Sequence, residues 1–223
     1  MMSVFDVIGP PMVGPSSSHT AGVCRLGLMA RYLLGEEPHQ AVIGLHGSLA
    51  ATGIGHATDR ALAAGLLGFA PDDHRLKDAL DLAPAKGLKV EFGAVDLGEA
   101  AHPNTAQLQL CGNTRTVAIV GASVGGGAIL VTEIDNFGVA LSGGLESVVL
   151  WHGDVPGFLA GVASLCAYAG LNIAATRTVR GERGAEALTT LEVDGIFPLD
   201  VLSVLGRGAA VRQMAHLPVL PGF

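Results

Sequence analysis

The order of apolar and polar positions along this chain predicts an alternation of helices and strands. After a loop from Gly9 to Ser18, a helix is expected to run to about Leu34, where Gly35 stops it. Gln40 to His46 reads as a buried strand. Gly55 to Phe69 reads as a second helix, with Leu62, Leu66 and Phe69 at helical spacing. Arg75 to Leu82 fits a short amphipathic helix, and Lys89 to Leu97 alternates as a strand does. Four more strands follow: Thr105 to Cys111, Val117 to Ser123, Ala128 to Ile134 and Phe137 to Leu141. Gly112-Asn113 suits a hairpin turn, and Gly125-Gly126-Gly127 separates two of the strands.

Beyond the punctuation at Ser142-Gly143-Gly144 the rhythm changes. Strands are expected at Ser147 to His152, Asn172 to Arg180, Ala187 to Val193 and Ala210 to His216, with helices at Gly157 to Ala169 and Leu199 to Leu205. The order is βαββαβ, a ferredoxin-like pattern. The fold class is therefore α+β in two domains, residues 1–142 and 146–223. The second is small, and its exposed sheet edges make pairing with another copy plausible.

Composition adds limits. Of 223 residues, 49% are hydrophobic and 15% charged, enough to bury a core and to exclude disorder as the main state. Aromatics are only 4%, so Ala, Val, Leu and Ile must build that core. The net charge is −7 and the 13 basic residues are scattered, which argues against a nucleic-acid partner. Mean hydropathy is +0.48. The uncharged stretch from Val155 to Thr176 has the length of a membrane span, but Pro156, Gly157, Gly161, Gly170 and Asn172 make it read as helix, turn and strand. No signal peptide is recognisable and no membrane association is expected. Cys24, Cys111 and Cys166 are few and far apart, so no disulfide framework or metal clip is implied and a reduced, cytoplasmic setting is the default.

Four stretches carry candidate chemistry. Gly14-Pro15-Ser16-Ser17-Ser18-His19-Thr20 precedes a helix. One Ser would suffice as a cap, whereas helix-terminal amides also attract carboxylates and His19 could move a proton near neutral pH. His46-Gly47-Ser48-Leu49-Ala50-Ala51-Thr52-Gly53-Ile54-Gly55-His56-Ala57-Thr58-Asp59 connects a strand to a helix. It has neither dinucleotide glycine spacing nor a Walker lysine. His56 and Asp59 fall one helical turn apart, as a carboxylate-oriented imidazole or as an ordinary exposed pair. His102-Pro103-Asn104-Thr105 is a turn whose His102 matters only if the fold brings it near His19 or His56. Gly125-Gly126-Gly127 is an anion cradle or a hairpin. Asp154-x-Pro156-Gly157, with Asn172 after the helix, is a helix start or a small amino-acid site at a dimer seam.

Together and in this order, these stretches resemble the β subunit of bacterial iron–sulfur-dependent L-serine dehydratase (L-serine ammonia-lyase). Ser3-Val4-Phe5-Asp6 and Ser123-Val124-Gly125-Gly126-Gly127 also match, and the C-terminal part is similar to an ACT domain. The resemblance covers nearly the whole chain. It implies conversion of L-serine to pyruvate and ammonia without pyridoxal phosphate. It also implies a [4Fe–4S] cluster held by a separate α subunit, with no metal ligands in this chain. The first domain is similar to an allosteric-substrate-binding-like module that also occurs in some phosphoglycerate dehydrogenases. By motif, His19 and His56 are the implied proton-transfer residues, with neither assigned as acid or base. Ser16, Ser17, Ser18 and Thr20 would anchor substrate or position His19, with Asp59, His102 and Asn104 in support. Ile54 stands where relatives often carry Lys. The ACT resemblance implies self-association and a response to an amino acid or a monovalent cation, with Gly157 and Asn172 as effector positions. Two other readings stand beside this one: a non-catalytic amino-acid sensor and a scaffold for the α subunit.

Overall fold

A computed structural model describes residues 10–222. The matching stretch Ser3-Val4-Phe5-Asp6 lies outside the described residues. The chain divides into two compact units. The first takes the chain up to Asn136, Ala140–Ser142 and the returning segment from Leu220; the second takes Phe137–Val139 and Gly143–Val219.

The first unit opens with a π-helical turn, Ser17–Gly22, that runs into α1, Val23–Leu34. All of α1 except Arg31 and Tyr32 is buried, which marks it as the central helix of its unit. Gly35 ends it in the left-handed conformation, returning its N–H to the Arg31 carbonyl. Strand β1 (Gln40–Leu45) leads into a short helix α2 (Gly47–Thr52), a 3-10 turn (Ile54–His56) and α3 (Thr58–Leu66). The single helix expected from Gly55 to Phe69 is thus broken. Ala57 adopts a left-handed conformation, φ 57°, which interrupts the helical path just after His56. A further 3-10 turn (His74–Asp78) and α4 (Ala79–Ala85) follow.

The first sheet uses β1, β2 (Lys89–Ala94), β3 (Thr105–Cys111), β4 (Thr116–Gly125), β5 (Ala128–Ile134) and β6 (Phe137–Leu141). Among the described residues its order is β2-β1-β3-β4-β5-β6. β1 and β2 are parallel, whereas β1–β3, β3–β4 and β4–β5 are antiparallel. Alternation buries Ala41, Ile43, Leu108, Leu110, Val117, Ile119 and Val131.

Helix α1 meets α3 where two glycines face each other. A Cβ on Gly27 would stand 2.6 Å from the Leu62 carbonyl oxygen, and one on Gly65 would fall on the Cys24 carbonyl oxygen. The backbones therefore approach more closely than any side chain permits. Arg25, 1% exposed, donates to the carbonyls of Gly127, Pro221 and Gly222. The Gly125-Gly126-Gly127 stretch is accordingly a hairpin of three positive-φ residues whose last carbonyl is already taken.

The second unit runs β7 (Glu146–Gly153), α5 (Phe158–Tyr168), β8 (Asn172–Arg180), β9 (Glu186–Asp194), α6 (Leu199–Gly206) and β10 (Val211–Leu217). Its sheet order, β10-β7-β9-β8, is antiparallel throughout. The expected βαββαβ order is what the structure has. Val148, Leu150, Leu191 and Val193 pack against Val162, Cys166, Val201 and Leu205 of the two helices. The uncharged Val155–Thr176 stretch is divided among α5, a turn and β8, and no helix among the described residues is long and apolar enough to cross a membrane.

Candidate active site

Two segments of the first unit are cross-braced. Ser16 caps the π-turn, its Oγ accepting the His19 N–H at 3.1 Å. The turn can pass this close to β4 because Gly22 has no side chain: a Cβ there would overlap the Ser123 hydroxyl. Ser123 is fully buried, and its Oγ has no hydrogen-bond partner among the described residues. π-turns of this kind are rare and recur at functional sites. The brace itself is reciprocal. Thr20 Oγ1 donates to the His56 carbonyl at 3.2 Å, and Thr58 Oγ1 donates to the His19 carbonyl at 3.1 Å. Both threonines are fully buried. Each histidine is thus held through its backbone by a threonine from the other's segment.

The result brings the two imidazoles together, ring centroids 5.0 Å apart and tilted by 41°. His19 Nε2 lies 3.2 Å from Ser48 Oγ and 3.2 Å from Thr52 Oγ1. His56 Nδ1 lies 3.0 Å from the Thr52 carbonyl oxygen. A carbonyl only accepts, so His56 carries its proton on Nδ1 and presents a lone pair on Nε2 when neutral. Burial, and then the neighbouring His56, hold His19 below the ordinary 6.5, against an opposing Ser48 backbone contact. The neutral ring is therefore the favoured form in the fold. Its contribution to stability is complete above pH 6.5 and is lost as pH falls below that value. An NMR titration is expected to place His19 below 6.5, and His56→Gln to move it upward by removing one of the two lowering influences. An unchanged midpoint in His56→Gln would show that the rings are not electrostatically coupled.

The other expected residues fall into place unevenly. Ser17 and Ser18 lie in the π-turn, half-buried, and their hydroxyls have no protein partner among the described residues. Asp59 does not share a helical face with His56, because the left-handed Ala57 turns the chain between them. Its carboxylate instead accepts the Arg60 N–H at 2.8 Å and borders a cavity of about 280 Å³ lined by Leu45, Leu49 and Phe92. His102 Nδ1 accepts the Asn104 N–H at 3.1 Å, which ties the exposed ring into its own turn. Among the described residues no hydrogen bond or ring contact joins His102 to His19 or His56. The turn nonetheless supports the site: the Pro103 carbonyl accepts the Ser48 N–H at 2.8 Å, and the Asn104 carbonyl accepts the Ser123 N–H at 3.0 Å.

The described residues hold no set of side chains that fits a metal or an iron–sulfur cluster. Among the described residues no three His, Cys, Asp or Glu side chains converge. Cys24 is buried, donates to the Phe69 carbonyl and has its thiol pushed up to about 12 by burial. Cys111 is half-buried on β3, and Cys166 is in the core of the second unit. In that unit Gly157 lines an apolar cavity of about 370 Å³ with Phe158, Val162, Leu165, Leu205 and Val211. Asn172 is not in its lining; it donates to Asp194 at 2.7 Å.

Comparison with known proteins covers the segments that carry both histidines. A family model described as "Serine dehydratase beta chain" matches residues 3–84, which include both histidines. The "Probable L-serine dehydratase, beta chain" of Bacillus subtilis (strain 168) is 43% identical over 215 residues, covering 96% of this chain and 97% of that one. The chain belongs to the serine dehydratase beta-chain family. Within it, the "L-serine dehydratase, beta chain" of Peptoniphilus asaccharolyticus is 37% identical, over 86% of this chain and 87% of its own. "L-serine dehydratase TdcG" of Escherichia coli (strain K12) is 35% identical over 78% of this chain, a match that occupies 41% of that longer protein.

Four residues of this beta chain's site were not singled out by spacing: Ser48, Thr52, Thr58 and Ser123. The first three lie inside the second histidine stretch, where each looks like helix-start chemistry. Only the long-range bonds to His19 reveal what Ser48, Thr52 and Thr58 do.

Proposed function

We propose that this chain is the β subunit of an L-serine ammonia-lyase that converts L-serine to pyruvate and ammonia without pyridoxal phosphate. A separate α chain carries the [4Fe–4S] cluster. The observation that carries the reading is the pairing of His19 and His56, from two separate motifs, with rings 5.0 Å apart. Elimination of water from L-serine needs a base at Cα, and a neutral imidazole with an unengaged lone pair suits that task near neutral pH. Loss of the Cα proton and the β-hydroxyl leaves aminoacrylate. Tautomerisation and hydrolysis of that product give pyruvate and ammonia.

In this reading Ser16 positions His19, and Thr20 steadies His56 by holding its carbonyl. Ser17 and Ser18 offer hydroxyls to the substrate carboxylate. The scattered cysteines support a cluster housed elsewhere, as does a beta-chain match occupying only part of a longer serine dehydratase. No step involving the cluster is derived from this chain.

The second unit is proposed to act as an ACT domain that pairs with its copy and responds to an amino acid or a monovalent cation. The mostly exposed edge strand β8 supports pairing, as do Tyr168 and Leu199, 91% and 84% exposed. A cytoplasmic setting belongs to the same proposal. The βαββαβ topology favours one second reading, a stand-alone amino-acid sensor. Anaerobic pyruvate release from L-serine separates the two. Activity is expected only when this chain is mixed with a cluster-bearing α subunit. Silence with an intact cluster, together with tight L-serine binding by the isolated chain in calorimetry, would favour the sensor.

A further inference from the structure

We infer that Thr52 is a positioning residue that fixes the proton positions on both histidines, leaving His19 with its lone pair on Nδ1 and His56 with its lone pair on Nε2. The inference rests on the catalytic reading above, and it deepens that reading by naming which nitrogen of each ring is available.

Thr52 ends α2, and the two histidines reach it from different directions. Its hydroxyl meets His19 Nε2 at 3.2 Å, while its carbonyl meets His56 Nδ1 at 3.0 Å. The carbonyl has no proton to give, so His56 Nδ1 must be the N–H. The hydroxyl has one proton, and Thr52 Oγ1 donates it to the Ser48 carbonyl one turn earlier at 2.9 Å. What remains toward His19 is an oxygen lone pair. His19 Nε2 must then carry the hydrogen, and Nδ1 of the neutral ring is left as the acceptor. Ser48 Oγ, 3.2 Å from the same Nε2, takes a share of that hydrogen rather than giving up its own. Ser48 is thereby not activated as a nucleophile, and its hydroxyl proton is available to a bound substrate.

The loop geometry holds the arrangement. The carbonyl of Gly53, the next residue, accepts the N–H groups of His56 at 3.2 Å and Thr58 at 3.0 Å. The turn that carries His56 is therefore suspended from the residue that follows Thr52. Thr52 itself is exposed, so its hydroxyl can be removed without opening a cavity in the core.

Thr52→Val keeps the branched shape and the carbonyl but loses the hydroxyl; Thr52→Ser keeps both oxygens. NMR of the 15N-labelled full chain, reading two-bond couplings in each ring, is expected to show His19 protonated at Nε2 and His56 at Nδ1. In Thr52→Val, His19 should become a mixture of tautomers or reverse, while His56 stays unchanged. In the enzyme assembled with its α chain, Thr52→Val is expected to lower kcat about 10- to 100-fold with little change in KM. That is the range found when groups orienting a ligating imidazole are removed. Thr52→Ser should recover most of the loss. A His19 tautomer identical in wild type and Thr52→Val overturns the inference, as does full kcat in Thr52→Val despite a changed tautomer. The spectra decide the proton positions without any turnover. The catalytic reading is judged separately, by whether the histidine variants lose activity.

Discussion

Replacing His19 with alanine in the assembled enzyme should lower kcat about 10²- to 10⁴-fold, the range supplied by a positioned acid or base. The chain itself should stay folded. What ties the His19 position to the fold is its backbone: the N–H bonded to Ser16 Oγ and the carbonyl bonded to Thr58 Oγ1. Alanine keeps both. The ring is only partly buried and meets Ser48, Thr52 and His56 at the rim of the site. His56→Ala should give a loss of the same order, because its carbonyl stays bound to Thr20 while its ring disappears. The double variant should cost little more than the worse single one, since groups that serve one proton-transfer sequence do not contribute additively. The measurements are kcat and KM for pyruvate formation, with circular dichroism of each isolated chain. Near-normal kcat in both single variants would remove the histidines from the chemistry and leave the chain a scaffold for its partner.

Gly65→Ala should destabilise the chain by about 3 kcal/mol, at the upper end of the usual overpacking range. The sign is the informative part. In an ordinary helix interior, Gly to Ala is favourable by about 1 kcal/mol. Here the added methyl would land on the Cys24 carbonyl and press on the Leu28 N and Gly27 Cα, all of them backbone atoms that no side-chain rotation can clear. The two helices must move apart. Because α1 follows the His19 turn and α3 follows the His56 turn, separating them also strains the threonine braces. Denaturant unfolding reads the stability loss, and activity below the midpoint reads the displaced histidines. A Gly65→Ala chain of wild-type stability or better would show that the helices do not approach as the structure has them.

The strands were the most legible part of the sequence. β3, β5, β6 and β8 begin and end where alternation and flanking turn residues place them. The helix carrying the second histidine was less legible. Ala57 is a good helix former, and nothing local announces that it will adopt a left-handed conformation. Reading through it produced one long helix and a His56–Asp59 face that the fold does not contain. His19 and His56 could be named from their motifs, but their meeting depends on Thr20, Thr58, Gly27 and Gly65. Each of these acts through a contact across more than thirty positions of sequence, which spacing does not report. Thr52 escaped for a related reason. Its bond to Ser48 is an ordinary helical back-bond, and its meaning appears only once His19 is beside it.

The Pro221–Gly222 segment held by Arg25 has a thermodynamic consequence. The chain reaches that guanidinium only after passing through Gly143–Val219, so the segment behaves toward the first unit as a tethered ligand. Its local concentration is set by the tether. While the second unit is folded, the tether has a fixed span. Once that unit unfolds, the tether becomes a long flexible coil, and the local concentration falls steeply with its length. The stabilities of the two units are therefore linked through the chain itself: a cut in the second unit's loops would leave the contact tethered only for as long as that unit's sheet and core hold the two pieces together.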